Sequence, residues 1–94
     1  MAATTQPTRP PRLSDWVAYT LSETDATAAA QTGGLGNPLR AGDVYPALIV
    51  RTWGDQPLCA VNLQVFVDGP TVNWATSRTG SELAAPGHWH WPSA

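Results

Sequence analysis

Apolar and polar residues alternate through the second half of the chain. In "AVNLQVFV" (Ala60 to Val67), Val61, Leu63, Val65 and Val67 fall at every second position against Asn62 and Gln64, the period of a strand with one buried face. "TVNWATSR" (Thr71 to Arg78) repeats the pattern, with Val72, Trp74 and Thr76 on one side and Asn73, Ala75 and Ser77 on the other. "VYPALIVRTW" (Val44 to Trp53) is more continuously apolar. The turn signals "GDQP" (Gly54 to Pro57) and "DGP" (Asp68 to Pro70) separate these three segments, which predicts an antiparallel meander. Pro46 lacks a ladder donor and is expected at the start or on an edge of its strand. "SDWVAY" (Ser14 to Tyr19) predicts a first strand, and "HWHW" (His88 to Trp91) a fifth that Pro92 ends.

Between the first and second strands the period changes. Ser22 with Asp25 three residues on approximates a capping box, and "ATAAAQ" supplies helix formers until Gly33 and Gly34. One helix of two or three turns is expected, with Leu21 and Ala29 available to pack inward. "GGLGNP" (Gly33 to Pro38) reads as a loop that returns the chain to the sheet; it lacks the lysine and the strand-then-helix context of a phosphate-binding loop. Five short strands hide one face best by bending into a barrel. The expected fold is therefore all-β with one short helix: a small SH3-like, partly open five-stranded barrel with the helix inserted between strands 1 and 2. A five-stranded OB-type barrel is the alternative, although its helix normally comes later in the order. Residues 13–94 form a single small β-barrel domain, and the proline-rich, polar residues 1–12 form a flexible N-terminal arm in which Arg9 and Arg12 are either solvated or partner contacts.

Composition narrows the function. A chain of 94 residues has a small core, and five tryptophans supply its bulk. Five arginines, no lysine and seven carboxylates give a net charge of −2, which disfavours long nucleic acid but leaves room for a small anionic ligand held by one or two arginines. Cys59 is the only cysteine, so no disulfide forms within the chain and a reducing, cytosolic setting is expected. No apolar run approaches the roughly 18 residues of a membrane span, and the N-terminus has no hydrophobic signal stretch, so a soluble, unprocessed protein is expected, with no membrane partner.

Candidate chemistry gathers in three places. "HWHW" places His88 and His90 on one strand face and Trp89 and Trp91 on the other; two histidines fall short of a zinc site, so no metal is expected, and the tryptophans are expected to plug the barrel. Trp74, Thr76 and Arg78 share a face by alternation and combine a stacking surface, a hydroxyl and a guanidinium. They either hold a base and a phosphate, or serve as a core residue, a β-former and a surface arginine paired with Glu82. Arg51 falls on the side of Ile49 and Trp53, where a charge must reach water, a carboxylate or a ligand. Asn62 and Gln64 put two amides on one face. No glycine-flanked nucleophile, carboxylate pair or metal motif points to an enzyme.

"GNPLRAGDVYPALIVRTWG", "VNLQVFVDG", "WATSR" and "PGHWHWP" together resemble a family of small uncharacterised proteins of actinobacterial phages and prophages, over roughly Asp15 to Pro92. Members often read "GTWHWP", so His88 departs from the pattern while His90 matches, and "VDGPT" here stands where "LDGND" is usual. The resemblance implies a non-enzymatic phage accessory protein of the host cytoplasm. The reading expected first is a counter-defence sponge that binds a small anionic ligand, a cyclic nucleotide immune signal, with Trp74, Thr76, Arg78, Arg51 and His90 as ligand-binding residues and no cofactor. The other is a virion structural or host-protein adaptor module without a small-molecule ligand. Self-association into a homo-oligomer is expected in either case, because so small a core gains from further apolar burial.

Overall fold

Val17 and Tyr19 are almost wholly buried while Trp16 and Ala18 are more exposed, and Thr20 and Leu21 after them are buried too, so the first strand commits one side to the interior from its start. The structure, a computed structural model, describes residues 9–31 and 36–92, without the side chains of 29–31. Its elements are β1 (Trp16–Thr20), α1 (Glu23–Gln31), β2 (Val44–Thr52), β3 (Val61–Phe66), β4 (Val72–Arg78) and β5 (Trp89–His90). All five strands belong to one antiparallel sheet in the order β4-β3-β2-β1-β5. This is the mostly-β architecture that alternation predicts, with the helix between the first two strands.

The inner face reads in rows. Val17, Ala47, Val65 and Asn73 pair across four strands, and Ile49, Leu63 and Ala75 form the next row. Trp89 and Trp91 fill the space over these rows, edge to face with ring centres 5.3 Å apart, so the tryptophans of "HWHW" do plug the interior. The Trp89 indole N–H donates to the Cys59 carbonyl at 3.2 Å, which satisfies its one polar atom inside the core. The sheet is open along β4, but the chain just beyond it comes round to β5: Ser81 N–H donates to the Trp89 carbonyl at 2.8 Å, and Gly80 bridges Trp89. Only glycine fits there, because a Cβ on Gly80 would lie 2.7 Å from the Trp89 ring and 2.8 Å from Leu58.

Local signals explain the rest. Ser22 Oγ accepts from Asp25 N–H at 3.1 Å and Asp25 Oδ2 accepts from Ser22 N–H at 2.9 Å, a reciprocal capping box that starts α1. Leu21 packs inward as expected; the Ala29 side chain and the loop residues Gly33, Gly34 and Leu35 lie outside what the structure describes. The rest of the "GNP" loop docks on the "DGP" turn, where Gly36 and Gly69 approach so closely that a Cβ on Gly36 would collide with the Asp68 carbonyl oxygen. Pro46 lies near the start of β2, just before the first β2–β3 pair, Ala47 with Val65. The arm expected through residue 12 is anchored from Arg9 onward: Arg9 pairs with Asp15 at 2.8 Å, its guanidinium stacks 4.8 Å from the Trp91 ring, and Pro11 is buried. Residues 1–8 of that arm lie outside the described residues. No described helix is long and apolar enough to cross a membrane.

Candidate functional site

Asn62 organises the end of the sheet where the expected ligand residues lie. Strand alternation turns its side chain away from the core, yet it is only 8 % exposed. Its Oδ1 accepts three hydrogen bonds: from Trp53 Nε1 at 2.9 Å, Thr76 Oγ1 at 2.9 Å and Ser77 N–H at 2.8 Å. On each side of it the partner strand carries one extra residue. Ile49 pairs with Leu63 but Arg51 with Asn62, and Ala75 pairs with Leu63 but Arg78 with Val61. Ser77 takes φ of 57°, which places the β4 bulge in the left-handed region.

A bulge shifts every later side chain to the opposite face. Arg51 therefore leaves the side of Ile49 and stacks on exposed Trp53 with its guanidinium 4.0 Å from the ring centre. Arg78 leaves the side of Trp74 and Thr76 and turns inward, where its Nη2 meets Asp25 Oδ1 at 3.1 Å instead of Glu82. Thr76 is held on Asn62, and Trp74 is 64 % exposed rather than part of the core. His90 sits at the far edge of the sheet beside Ala18. Arg51 and Thr76 thus flank Asn62 on the outer face, Arg78 beside them turns inward, and His90 stands at the opposite edge, so the structure does not bring all five together.

Two other arrangements emerge. On the inner face, Asp25 receives the Tyr19 hydroxyl at 2.5 Å, the Ser22 N–H and hydroxyl, and Arg78. Burial opposes its charge, but these donors outweigh it and hold the carboxyl below the ordinary carboxylate range. Burial, reinforced by the Asp25 hydrogen bond, pushes the Tyr19 phenol well above its usual value, so it remains a donor. Beside this cluster a cleft of about 470 Å³ opens between α1 and the β3–β4 end of the sheet, with Asp25 and Ala28 on one side and Val65, Asn73, Trp74 and Ala75 on the other.

The outer face is the second arrangement. Trp16, Leu48, Gln64 and Trp74 pair in one row across four strands. Phe66 and Val72 pair in the next row, with the Phe66 ring 5.4 Å from that of Trp16. Trp16 is 54 % exposed and Val72 46 %. No Asp, Glu, Lys or Arg occupies these positions, nor Ala18 and Pro46 between them. His90 joins this face at Ala18, and burial lowers its pKa, which keeps it neutral. Alternation within "SDWVAY" opposes Trp16 to Val17 and Tyr19, and that signal identifies Trp16 as outward.

His88 hydrogen-bonds to Thr79 at 3.1 Å, and among the described residues no three His, Cys, Asp or Glu side chains stand close enough to hold a metal ion. Comparison with protein-family models, with curated proteins and with solved structures finds no match to this chain.

Proposed function

We propose that this chain is a non-enzymatic assembly module that pairs with a second copy of itself through the outer face of its sheet, in keeping with the structural or adaptor role of a phage accessory protein. The observation that carries this reading is the row of Trp16, Leu48, Gln64 and Trp74 with adjacent Phe66 and Val72, aromatic, uncharged and in contact with solvent. A sheet face meant for water ordinarily alternates to polar and charged residues. A two-fold contact uses the same patch on both copies, so these uncharged rows meet their counterparts without like-charge repulsion, with exposed Arg51 lying beyond them on the same face.

The exposed parts of Trp16, Trp74, Phe66 and Val72 amount to roughly 500 Å², so two such faces remove about 1,000 Å² of apolar surface, the low end for a specific interface. An interface of that size is expected to be weak. Light scattering from roughly 1 µM to 1 mM is expected to show a monomer–dimer transition, and Trp16→Arg with Trp74→Arg is expected to abolish it while the fold persists. A chain that stays monomeric across that range refutes the pairing. Mass spectrometry of purified virions tests the structural role, for which many copies per particle are expected.

The geometry favours this reading over the anionic sponge. Arg78 is committed to Asp25, Arg51 to Trp53, and His90 lies at the opposite edge, so no cationic pocket gathers them.

A further inference from the structure

We propose that the cleft between α1 and the β3–β4 end of the sheet binds a small, neutral, planar heteroaromatic compound of nucleobase type. This goes beyond the sheet-face reading; the cleft shares Trp74 and Val72 with that face, while Asp25, Ala28, Val65, Asn73 and Ala75 belong to the cleft alone. The cleft, about 470 Å³, is of the size that encloses small ligands. Its floor is apolar where Val65 and Ala75 line it, and Trp74 lines it beside Asn73.

Polar groups in the wall decide the ligand's chemistry. The Asn73 amide has no hydrogen-bond partner among the described residues, and it presents a donor and an acceptor side by side, the complement of a ring edge that carries an amine next to a ring nitrogen. Charge decides the rest. Among the described residues, Asp25 is the one charged residue that lines the cleft, and its oxygens are occupied by Tyr19, Ser22 and Arg78. A phosphate would confront that carboxylate without a free cation beside it, and an ammonium would compete with Arg78, so a neutral ring fits best.

Calorimetric titration of the full chain with adenine, with benzimidazole as a ring of related shape without the exocyclic amine, and with adenosine against its monophosphate tests the assignment. Saturable binding of adenine is expected, with benzimidazole at least tenfold weaker and the monophosphate no tighter than adenosine. Asn73→Ala is expected to weaken adenine at least tenfold, and Ala28→Trp, which adds bulk at an exposed helix position on the cleft wall, to abolish binding; circular dichroism verifies that both variants fold. Trp16→Arg is expected to leave binding unchanged, so failure of the sheet-face pairing and failure of the cleft are read separately. Absence of saturable adenine binding overturns the proposal, as does binding that survives either cleft substitution unchanged, equal affinity for benzimidazole, or a tighter fit for the monophosphate.

Discussion

Replacing Asn62 by alanine removes one atom that three donors share, and the cost follows from where those donors lie. A neutral hydrogen bond contributes about 0.5–1.5 kcal/mol net, so three bonds set an upper range of about 1.5–4.5 kcal/mol. Trp53 is half exposed and Thr76 is exposed, so water replaces the partner of the indole and of the hydroxyl at small cost. The Ser77 N–H has less recourse, because the bond to Asn62 holds the bulge; release of Ser77 from φ of 57° returns part of the loss, since a left-handed residue is strained by about 1–2 kcal/mol. The balance is a destabilisation of about 1–2 kcal/mol, or roughly 4–16 °C in Tm for a domain of this size. Urea unfolding followed by tryptophan fluorescence measures it, and hydrogen exchange at the Trp53 indole reports the local opening. Asn62→Asp keeps an acceptor in the same place and is expected to cost less than half as much. A loss below about 0.5 kcal/mol for the alanine variant, or equal losses for both variants, would show that the bulges stand without Asn62 and refute the reasoning.

Gly80→Ala forces a Cβ to within 2.8 Å of both Trp89 and Leu58 and is expected to cost about 1–3 kcal/mol by calorimetry; a neutral outcome would mean that β5 is loosely held. Acid is expected to destabilise the fold in two stages. His90 has a folded pKa below its unfolded value of about 6.5, so the unfolded chain binds the proton first and stability falls as pH drops from about 6.5; Asp25, whose folded pKa is also depressed, contributes stability above about pH 4 that is lost as pH falls through its folded value. Thermal melts from pH 8 to 3 check this, with His90→Gln expected to remove the upper stage and Asp25→Asn the lower; a flat profile in the parent chain contradicts both.

Alternation sufficed for the strands because large apolar residues in β1 and β3 mark the inner face without ambiguity: Val17 and Tyr19, then Val61, Leu63 and Val65. In β4 it misled. Val72 and Trp74 look like the core side beside Asn73 and Ala75, yet Ile49 and Leu63 already fill the interior opposite, with Trp89 and Tyr19 over the same core, so the small Ala75 is the residue that fits. Composition decides a strand's inner face only when the space opposite is known. The bulges were illegible for a related reason. A one-residue insertion leaves no mark in a local pattern, and here it depends on an amide in β3 that captures an indole in one partner strand's continuation and a hydroxyl and N–H in the other. Every expected site residue beyond a bulge, Arg51 and Arg78, consequently changed face, whereas the turns, the capping box and the tryptophan plug depended on neighbours in sequence and were readable.

The placement of the tryptophans joins these points to function. Trp89 and Trp91 are buried and complete the core, whereas Trp16, Trp53 and Trp74 are each more than half exposed. Arg51 covers Trp53, whose N–H is bound to Asn62, so that ring is accounted for by the bulged end of the sheet. Trp16 and Trp74 have no such role, although they terminate the same outer row. Charges such as Asp15, Asp43, Asp68 and Arg78 stand at strand ends and in turns, so the chain had charged residues available to place on that row and has none there. Leaving roughly 500 Å² of apolar surface to water would resemble the largest patch of an ordinary monomer, which is itself often a binding surface. In the pairing proposed above, a second sheet would lie about 10 Å above the first, with Trp16 and Trp74 at opposite ends of the row it would cover.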